Sequence, residues 1–275
     1  MQSRLLYHRS SVISYYVWGT GPKPVICFHG YGEDGLSFEF LGKYAGDRFT
    51  FYAIELPFHG KTEWKEGLII SPATLLEICT EIPELKNNSA EKPANKLSLM
   101  GFSLGGRVCL SLYEMMPEKV ERIVLLAPDG LKVNFWYWLA TQTWLGNRFF
   151  SFTMKHPGWF FGFLKLLNKL KLVNASIFKF VNYYIGDKEV RRLLYARWTC
   201  LRKLTPHLSL IKKQIKENDT AVRLLYGKHD RIILSSVGQQ FCKDIEEQCQ
   251  LTEIHSGHQV LHEKHVEEII PALQR

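Results

Sequence analysis

The sequence predicts an α/β fold in which a mostly parallel central sheet is flanked by helices. Short apolar or β-branched runs alternate with stretches of helical periodicity, which is the pattern of such sheets. Polar clusters follow directly after several of these runs, and in an open α/β sheet ligand sites lie at the carboxyl ends of the strands. The 275 residues, 46% of them apolar, are enough to fill one substantial core.

In the first half of the chain, the pattern predicts an edge element followed by buried strands. Residues 12–18 alternate weakly between apolar and polar side chains and suit an edge strand or hairpin. Continuous apolar runs predict buried strands at 24–28, 51–55 and 97–101, with a helix at about 72–82 before the last of them. Each strand is followed by a segment rich in glycine or polar residues.

In the second half, the same alternation is interrupted by a long insertion. A helical pattern covers 106–115, and a strand is predicted at 122–126. The strand pattern resumes at 221–226 and ends with a last strand at 249–254. We therefore divide the chain into a core made of residues 1–130 and 206–275 and an insertion made of residues 131–205.

The insertion differs from the rest of the chain in charge and in aromatic content. It contains 13 Lys and Arg residues and two acidic residues, a net charge of +11, whereas the whole chain carries +8. It also contains 18 of the 36 aromatic residues. The excess positive charge of the protein therefore belongs to this segment.

One serine lies between two glycines immediately after a predicted strand and before a predicted helix, in Gly101-Phe102-Ser103-Leu104-Gly105. Because a sharp strand-to-helix turn brings backbone segments close together, the flanking positions require residues without a side chain. Such a turn projects the serine hydroxyl above the sheet, at a helix N-terminus that favours developing negative charge. The context thus predicts that Ser103 is a nucleophile rather than a purely structural turn residue.

A nucleophilic serine needs a histidine to take its proton and a carboxylate to orient that histidine. Asp230 follows the strand at 221–226, and His258 follows the last strand. Ser103, Asp230 and His258 occur in the chain order serine, acid, histidine that this strand-turn-helix arrangement uses. We predict that these three residues form a catalytic triad.

Other residues compete for the same two roles. Asp129 follows another strand and is the alternative to Asp230. The remaining candidate histidines are expected either to be solvated or to organise loops. The first group is His255, His262 and His265; the second is His29 and His59.

Five motifs together resemble the α/β-hydrolase superfamily, in its serine-nucleophile branch with a cap, over nearly the whole chain. They are the serine motif above, Phe28-His29-Gly30-Tyr31-Gly32, Glu55-Leu56-Pro57-Phe58-His59-Gly60-Lys61-Thr62, Gly227-Lys228-His229-Asp230 and Ser256-Gly257-His258. The family usually has aspartate and glycine where this chain has Glu55 and Phe58, which affects the local turn and no catalytic role.

The resemblance implies an α/β-hydrolase fold with an inserted helical cap (lid) at residues 131–205. It also implies an oxyanion hole formed by the backbone N–H groups of Tyr31 and Leu104, and it requires no metal or organic cofactor. The expected function is a serine hydrolase that cleaves carboxylic esters or thioesters with a sizeable apolar group through an acyl-enzyme. A C–C bond hydrolase or a menaquinone-pathway-type lyase on the same triad is an alternative, and a non-catalytic ligand-binding protein of the same fold is another.

Residues 159–172 of the insertion predict a basic amphipathic helix, with Lys165 and Lys169 four positions apart. Three interpretations of it are open. The apolar face packs on the core while the lysines are solvated, or the cap contacts an anionic membrane surface and collects a lipid-like ester, or it docks an acidic acyl carrier. Nucleic acid is not favoured, because no binding motif accompanies the charge.

The cysteines and the apolar runs bear on the compartment. Cys27, Cys79, Cys109 and Cys200 lie singly in apolar segments without metal-ligand spacing, so we predict buried free thiols rather than disulfides. The chain shows no apolar run of signal-peptide length and none of about 18 residues. We expect a cytoplasmic protein without a membrane span, with peripheral membrane association left open.

Overall fold

The computed structural model describes residues 3–85, 96–170 and 185–274. Its centre is an eight-stranded sheet in the order β1-β2-β4-β3-β5-β6-β7-β8. The strands are β1 Arg4–His8, β2 Ser11–Trp18, β3 Lys23–Phe28, β4 Phe49–Ile54, β5 Leu97–Phe102, β6 Val120–Leu126, β7 Ala221–Gly227 and β8 Cys249–Ile254.

The helices alternate with the strands and also fill the insertion. They are α1 Glu39–Ala45, α2 Pro72–Glu81, α3 Leu104–Tyr113, α4 Phe135–Gln142, α5 Trp144–Lys155, α6 Gly158–Lys169, α7 Lys188–Cys200, α8 Leu208–Asn218, α9 Ser235–Cys242 and α10 Val266–Gln274. Within the described ranges, no helix is both long and apolar enough to cross a membrane.

The mostly parallel sheet is confirmed. Strands β3 to β8 pair in parallel with their neighbours, whereas β2 pairs antiparallel with β1 and with β4. The strand predicted at 12–18 is thus the inner half of a hairpin, and β1, which was not predicted, forms the edge. The tight connection between them places Arg9 at a positive φ of 54°.

The core is centred on the parallel strands. Residues 25–28 of β3 and 99–100 of β5 are almost completely inaccessible to solvent, as expected for strands covered by helices on both faces. Residues 51–54 of β4, 98–102 of β5 and 123–126 of β6 are buried as well. The carboxyl ends of β3 and β5 therefore emerge side by side from a rigid core.

The chain divides into two compact units. One consists of residues 1–66, 70–132 and 203–275, and the other of residues 67–69 and 133–202. Inside the second unit, hydrogen bonds join its helices: the Tyr137 hydroxyl donates to the carbonyl of Trp198 at 3.3 Å, and Arg191 Nε donates to the carbonyl of Met154 at 3.1 Å. The assignment of residues 131–205 as a cap stays a prediction.

The helix predicted at 159–172 is observed as α6, which ends at Lys169. The last two residues of the predicted range, 171 and 172, lie outside the described residues.

The cysteines behave as predicted where they lie singly in apolar segments. Cys27, Cys79, Cys109 and Cys200 are buried free thiols. Burial raises the pKa of all four, that of Cys200 to about 12, so these thiols are poor nucleophiles at neutral pH. The remaining pair, Cys242 and Cys249, forms a disulfide that joins the end of α9 to the start of β8, and the sequence analysis did not single it out.

Candidate active site

Ser103 lies in the sharp turn between β5 and α3. Its backbone angles are φ 48° and ψ −113°, a strained conformation for a residue with a side chain, and strain of this kind is found mainly at functional sites. Three hydrogen bonds maintain it. The Ser103 N–H donates to the carbonyl of Leu126 at 2.9 Å, and the Ser103 carbonyl accepts from the N–H groups of Gly106 at 2.9 Å and Asp129 at 2.8 Å.

The two flanking glycines are required by close backbone packing. A Cβ on Gly101 would collide with the backbone of Gly105, and a Cβ on Gly105 would collide with the carbonyl of Phe28 in β3. The turn therefore brings helix α3 against the neighbouring strand as well as against its own. This is the physical reason for the glycine-serine-glycine spacing.

A continuous hydrogen-bond chain runs from Ser103 through His258 to Asp230. His258 Nε2 lies 3.0 Å from the Ser103 hydroxyl oxygen, and His258 Nδ1 lies 2.7 Å from Asp230 Oδ2. The Asp230 side chain is completely buried, whereas 20% of the His258 side chain is exposed. The three residues come together although they follow three different strands.

The backbone fixes the orientation of the Asp230 carboxylate. Its other oxygen, Oδ1, accepts hydrogen bonds from the N–H groups of Ile232 at 2.7 Å and Ile233 at 3.0 Å. A carboxylate only accepts, so the hydrogen between it and His258 belongs to Nδ1 of the imidazole. The neutral imidazole then has its lone pair at Nε2, which faces the serine hydroxyl and can take its proton.

The two predicted oxyanion donors lie at the ends of neighbouring parallel strands. Tyr31 is in the loop after β3, where its ring meets that of His59 edge-on at 6.0 Å. Leu104 is the first residue of α3, and the first N–H groups of a helix have no carbonyl partner within the helix. Their role as oxyanion donors stays a prediction.

His29 and His59 hold the loops after β3 and β4. His29 Nδ1 lies 2.8 Å from the carbonyl of Gly30, and His29 Nε2 accepts from the N–H of Leu56 at 3.1 Å. His59 Nδ1 lies 2.9 Å from the carbonyl of Pro57, and the two imidazole rings are 4.9 Å apart. Both rings are buried and engaged with backbone groups, in keeping with the loop-organising interpretation.

The loop after β4 accommodates the two residues that depart from the family pattern. The buried carboxylate of Glu55 accepts a hydrogen bond from the N–H of Lys61 at 2.6 Å, which closes the loop on itself. Phe58 adopts a φ of 64°, in the left-handed region that glycine enters more easily. The loop thus makes a glycine-type turn with a phenylalanine, at a cost of about 1 kcal/mol.

Asp129, the alternative acid, is engaged elsewhere. Its Oδ2 lies 3.4 Å from Nε of the buried Arg107 on α3, and its Oδ1 accepts from the N–H of Gly130 at 2.8 Å. Its own N–H holds the Ser103 carbonyl. Asp129 therefore supports the turn that carries the serine, and it is Asp230 that faces the histidine.

Of the other three candidate histidines, two are exposed as predicted and one is buried. His255 and His262 are exposed, and His262 Nδ1 accepts from the N–H of Lys264 at 3.1 Å. The expectation that His265 is solvated was wrong, since it is 6% exposed. Its spacing from Ile269 and Leu273 puts it on the buried face of the segment leading into α10, and burial lowers its pKa.

Glu33 is a residue of this region that the sequence analysis missed. Its Oε1 accepts from Nε2 of Gln259, next to His258, at 3.0 Å, and its Oε2 faces the N–H of Gly30 at 3.4 Å. Burial raises the pKa of this carboxyl, while its hydrogen bonds with Gln259 and Gly30 act in the opposite direction. Glu33 thus connects the loop after β3 to the loop that carries His258, over a separation of 226 residues.

Comparisons with known proteins identify the fold and the family of this chain. The uncharacterized hydrolase YugF of Bacillus subtilis is 21% identical over 89% of this chain and 86% of its own length. A thermophilic esterase from Thermogutta terrifontis superposes with a TM-score of 0.67 at 16% identity, covering 100% of this chain and 97% of the other. The thioesterase domain from the curacin biosynthetic pathway gives 0.60 at 18% identity, covering 100% and 99%.

At these identities the two solved structures establish the fold, which is that of the α/β-hydrolases. The family follows from a match to a family model. Residues 22–268 match the model of the Hydrolase_4 family, described as serine aminopeptidase S33, and the chain therefore belongs to this family of hydrolases.

Proposed function

We propose that this hydrolase cleaves carboxylic esters or thioesters with a sizeable apolar group through a covalent acyl-enzyme on Ser103. The observation that carries the proposal is the hydrogen-bond chain from Ser103 to His258 to Asp230, at 3.0 Å and 2.7 Å. This arrangement activates a hydroxyl group for attack on a carbonyl. The esterase and the thioesterase among the similar structures favour ester-type substrates.

In the acylation step, Ser103 Oγ attacks the carbonyl carbon while His258 Nε2 takes the hydroxyl proton. The carbonyl oxygen becomes an oxyanion that the N–H groups of Tyr31 and Leu104 stabilise, aided by the N-terminus of α3. The tetrahedral intermediate then collapses. The carbon–oxygen or carbon–sulfur bond to the leaving group breaks, and the leaving group receives the proton from His258.

In the deacylation step, a water molecule takes the place of the leaving group. His258 removes a proton from the water, whose oxygen attacks the acyl carbon of the ester on Ser103. Collapse of the second intermediate breaks the bond to Ser103 Oγ, which recovers the proton from His258. The products are the carboxylic acid and the free enzyme.

Asp230 supports both steps by holding His258 and by stabilising the imidazolium that forms during each proton transfer. Its two backbone hydrogen bonds at Oδ1 keep Oδ2 directed at His258 Nδ1. The imidazole therefore keeps the tautomer and orientation that direct Nε2 at the serine.

The preference for an apolar group rests on the composition of residues 131–205, which contain half of the aromatic side chains of the protein. An acyl or alcohol group that buries apolar surface on binding gains free energy in proportion to the area buried, at about 25 cal/mol per Å². We therefore expect kcat/KM to rise with chain length up to the size that the site accommodates.

Turnover measurements with three classes of substrate test this proposal. The substrates are p-nitrophenyl esters of increasing acyl length, matched thioesters and aminoacyl anilides. We expect ester and thioester turnover with a chain-length optimum, a burst of p-nitrophenol that reports the acyl-enzyme, and loss of both in Ser103→Ala. Ser98→Ala, a serine of the same strand, is the matched control and should retain activity. Turnover of anilides without esters, or stoichiometric binding without turnover, contradicts the proposal.

A further inference from the structure

The second unit exposes an unusually apolar surface on two consecutive helices. We call it the aromatic surface and define it by Trp144, Phe149 and Phe152 of α5 and Trp159, Phe163 and Leu166 of α6. These side chains are between 40% and 71% exposed. Soluble proteins expose single large apolar side chains routinely, but a continuous patch of them marks an interaction site.

On α5 the exposed and buried residues separate into two faces. Trp144, Arg148 and Phe152 follow each other at four-residue spacing and therefore share one face of the helix. Thr153 and Met154 are buried on the opposite side. The outward position of the aromatic residues thus follows from the register of the helix, which is fixed by its buried face.

On α6 the same separation is found. Trp159, Phe163 and Leu166 lie at positions i, i+4 and i+7, which form one stripe along the helix. Leu164, on the other side, is 5% exposed. A helix of twelve residues therefore directs its largest apolar stripe away from its own packing contacts.

A contact between two aromatic rings of this surface joins the two helices. The rings of Phe149 on α5 and Trp159 on α6 lie 5.2 Å apart. Tryptophan and phenylalanine at such an exposed junction are the side chains that partition into the interfacial region of a bilayer.

The charged residues of these two helices are all basic. Arg148, Lys155, Lys165 and Lys169 accompany the six residues on the same two helices, and the Arg148 guanidinium lies 5.4 Å from the centre of the Trp144 ring. From residue 131 to residue 186 the sequence contains no aspartate or glutamate. Long basic side chains bury their aliphatic stems beside apolar groups and keep the charge at the level of lipid headgroups.

We propose that the aromatic surface binds the surface of a membrane containing anionic lipids. Insertion at the headgroup boundary accounts for the exposed apolar side chains, and attraction to anionic lipids accounts for the basic residues beside them. An acidic carrier protein would use the cations but would leave most of the apolar area exposed to water, so the observations favour the bilayer. The proposal rests on the second unit alone and does not depend on the hydrolase reaction.

Sedimentation of the full chain with phosphatidylcholine vesicles, with and without phosphatidylglycerol, tests this inference. We expect binding to the anionic vesicles and an at least tenfold weaker partition to the neutral ones. Lys165→Gln combined with Lys169→Gln should weaken the anionic partition about thirtyfold, at roughly 1 kcal/mol per lysine. The control pair Lys23→Gln and Lys216→Gln removes the same charge from the other unit. This pair should change the partition to anionic vesicles less than about twofold.

A second comparison isolates the apolar contribution. Trp159→Ala should weaken binding about tenfold, whereas Tyr7→Ala, which removes an exposed ring from β1, should not. Because all these side chains are exposed, the variants should fold, which circular dichroism checks. The proposal would be overturned by equal binding to both vesicle types, by no binding, or by equal effects of the variants and their controls. It would also be overturned if the protein bound an acidic acyl carrier protein through these lysines and did not bind vesicles.

Discussion

Asp129 and Asp230 both follow parallel strands, but their side chains have different partners. Asp230 meets His258 Nδ1, while Asp129 meets Arg107 and holds the serine turn through its N–H. Asp230→Asn should lower kcat about ten-thousandfold, because an amide favours the wrong imidazole tautomer. Asp129→Asn should lower it no more than about tenfold, since the backbone hydrogen bond remains.

Initial-rate measurements on the best ester substrate, with circular dichroism to check folding, compare the two variants. A larger loss in Asp129→Asn than in Asp230→Asn would transfer the orienting role to Asp129. Equal small losses would contradict the orienting role proposed for Asp230.

Glu33 gives a pH-dependent prediction. Burial raises the pKa of its carboxyl above the ordinary value, so the fold favours the protonated form and is penalised once the group ionises. Glu33→Gln should therefore be more stable than wild type at neutral pH, by less than about 1 kcal/mol because the carboxyl is partly solvated. The difference should disappear as the pH falls below the unfolded pKa of about 4.

Urea titrations across the pH range, with Glu246→Gln as an exposed control, measure this difference. A stability difference that grows in acid would contradict the assignment.

At the scale of residues, the sequence predicted the candidate site residues that lie directly after the end of a strand. Ser103, Asp230 and His258 each follow a strand that the sequence pattern predicts, which is a local signal. Glu33 was missed because its partner Gln259 is distant in the chain and nothing near Glu33 indicates it. His265 was misplaced because a polar residue on the inward face of a helical segment was expected to be solvated.

Helix α3 and strand β3 position Ser103 through close contact between their backbones. A Cβ on Gly105 would meet the backbone carbonyls of Phe28 and His29, which cannot move aside as a flexible side chain would. Gly105→Ala should therefore shift α3 away from β3, destabilise the protein by at least about 2 kcal/mol and lower kcat/KM at least about a hundredfold.

Gly162→Ala on α6 is the matched control for stability. An added Cβ there meets open space, so the better helix propensity of alanine should stabilise the protein by up to about 1 kcal/mol. Thermal unfolding of both variants checks the pair. A Gly105→Ala protein with unchanged stability and activity would show that the turn tolerates a side chain.

At the scale of elements, most strands could be predicted because continuous apolar runs mark strands buried on both faces. β1 was missed because Leu5 and Tyr7 are exposed and its pattern is weak. Helix α3 begins at Leu104, two residues before its predicted start, because the glycines of the turn hide the first helical residues. The disulfide could not be derived, since a spacing of seven residues does not by itself bring two cysteines together.

The thiols of the whole molecule can be counted by a single titration. Four of the six cysteines are buried and free, and the other two are bonded to each other. The native protein should react with almost no thiol reagent, the unfolded protein should expose four thiols, and unfolding after reduction should expose six. Six reactive thiols without reductant would contradict the disulfide, and rapid reaction of the native protein would contradict the burial.

At the scale of the whole molecule, fold class and charge distribution could be predicted from composition and periodicity. The alternation of strands and helices predicted the parallel sheet, and the clustering of basic residues marked the insertion. The exposure of Trp144 and Trp159 could not be predicted, because a helix of aromatic residues is as compatible with a buried face as with an exposed one.

Labelling by a fluorophosphonate probe, followed by peptide mapping, tests the activation of Ser103 most directly. The probe reacts with an activated serine and spares ordinary hydroxyl groups. Folded wild type should be labelled at Ser103, His258→Ala should react at least about a hundredfold more slowly, and Ser103→Ala should not be labelled. Absence of labelling in the folded wild type, or labelling of a different serine, would contradict the assignment of Ser103 as the nucleophile.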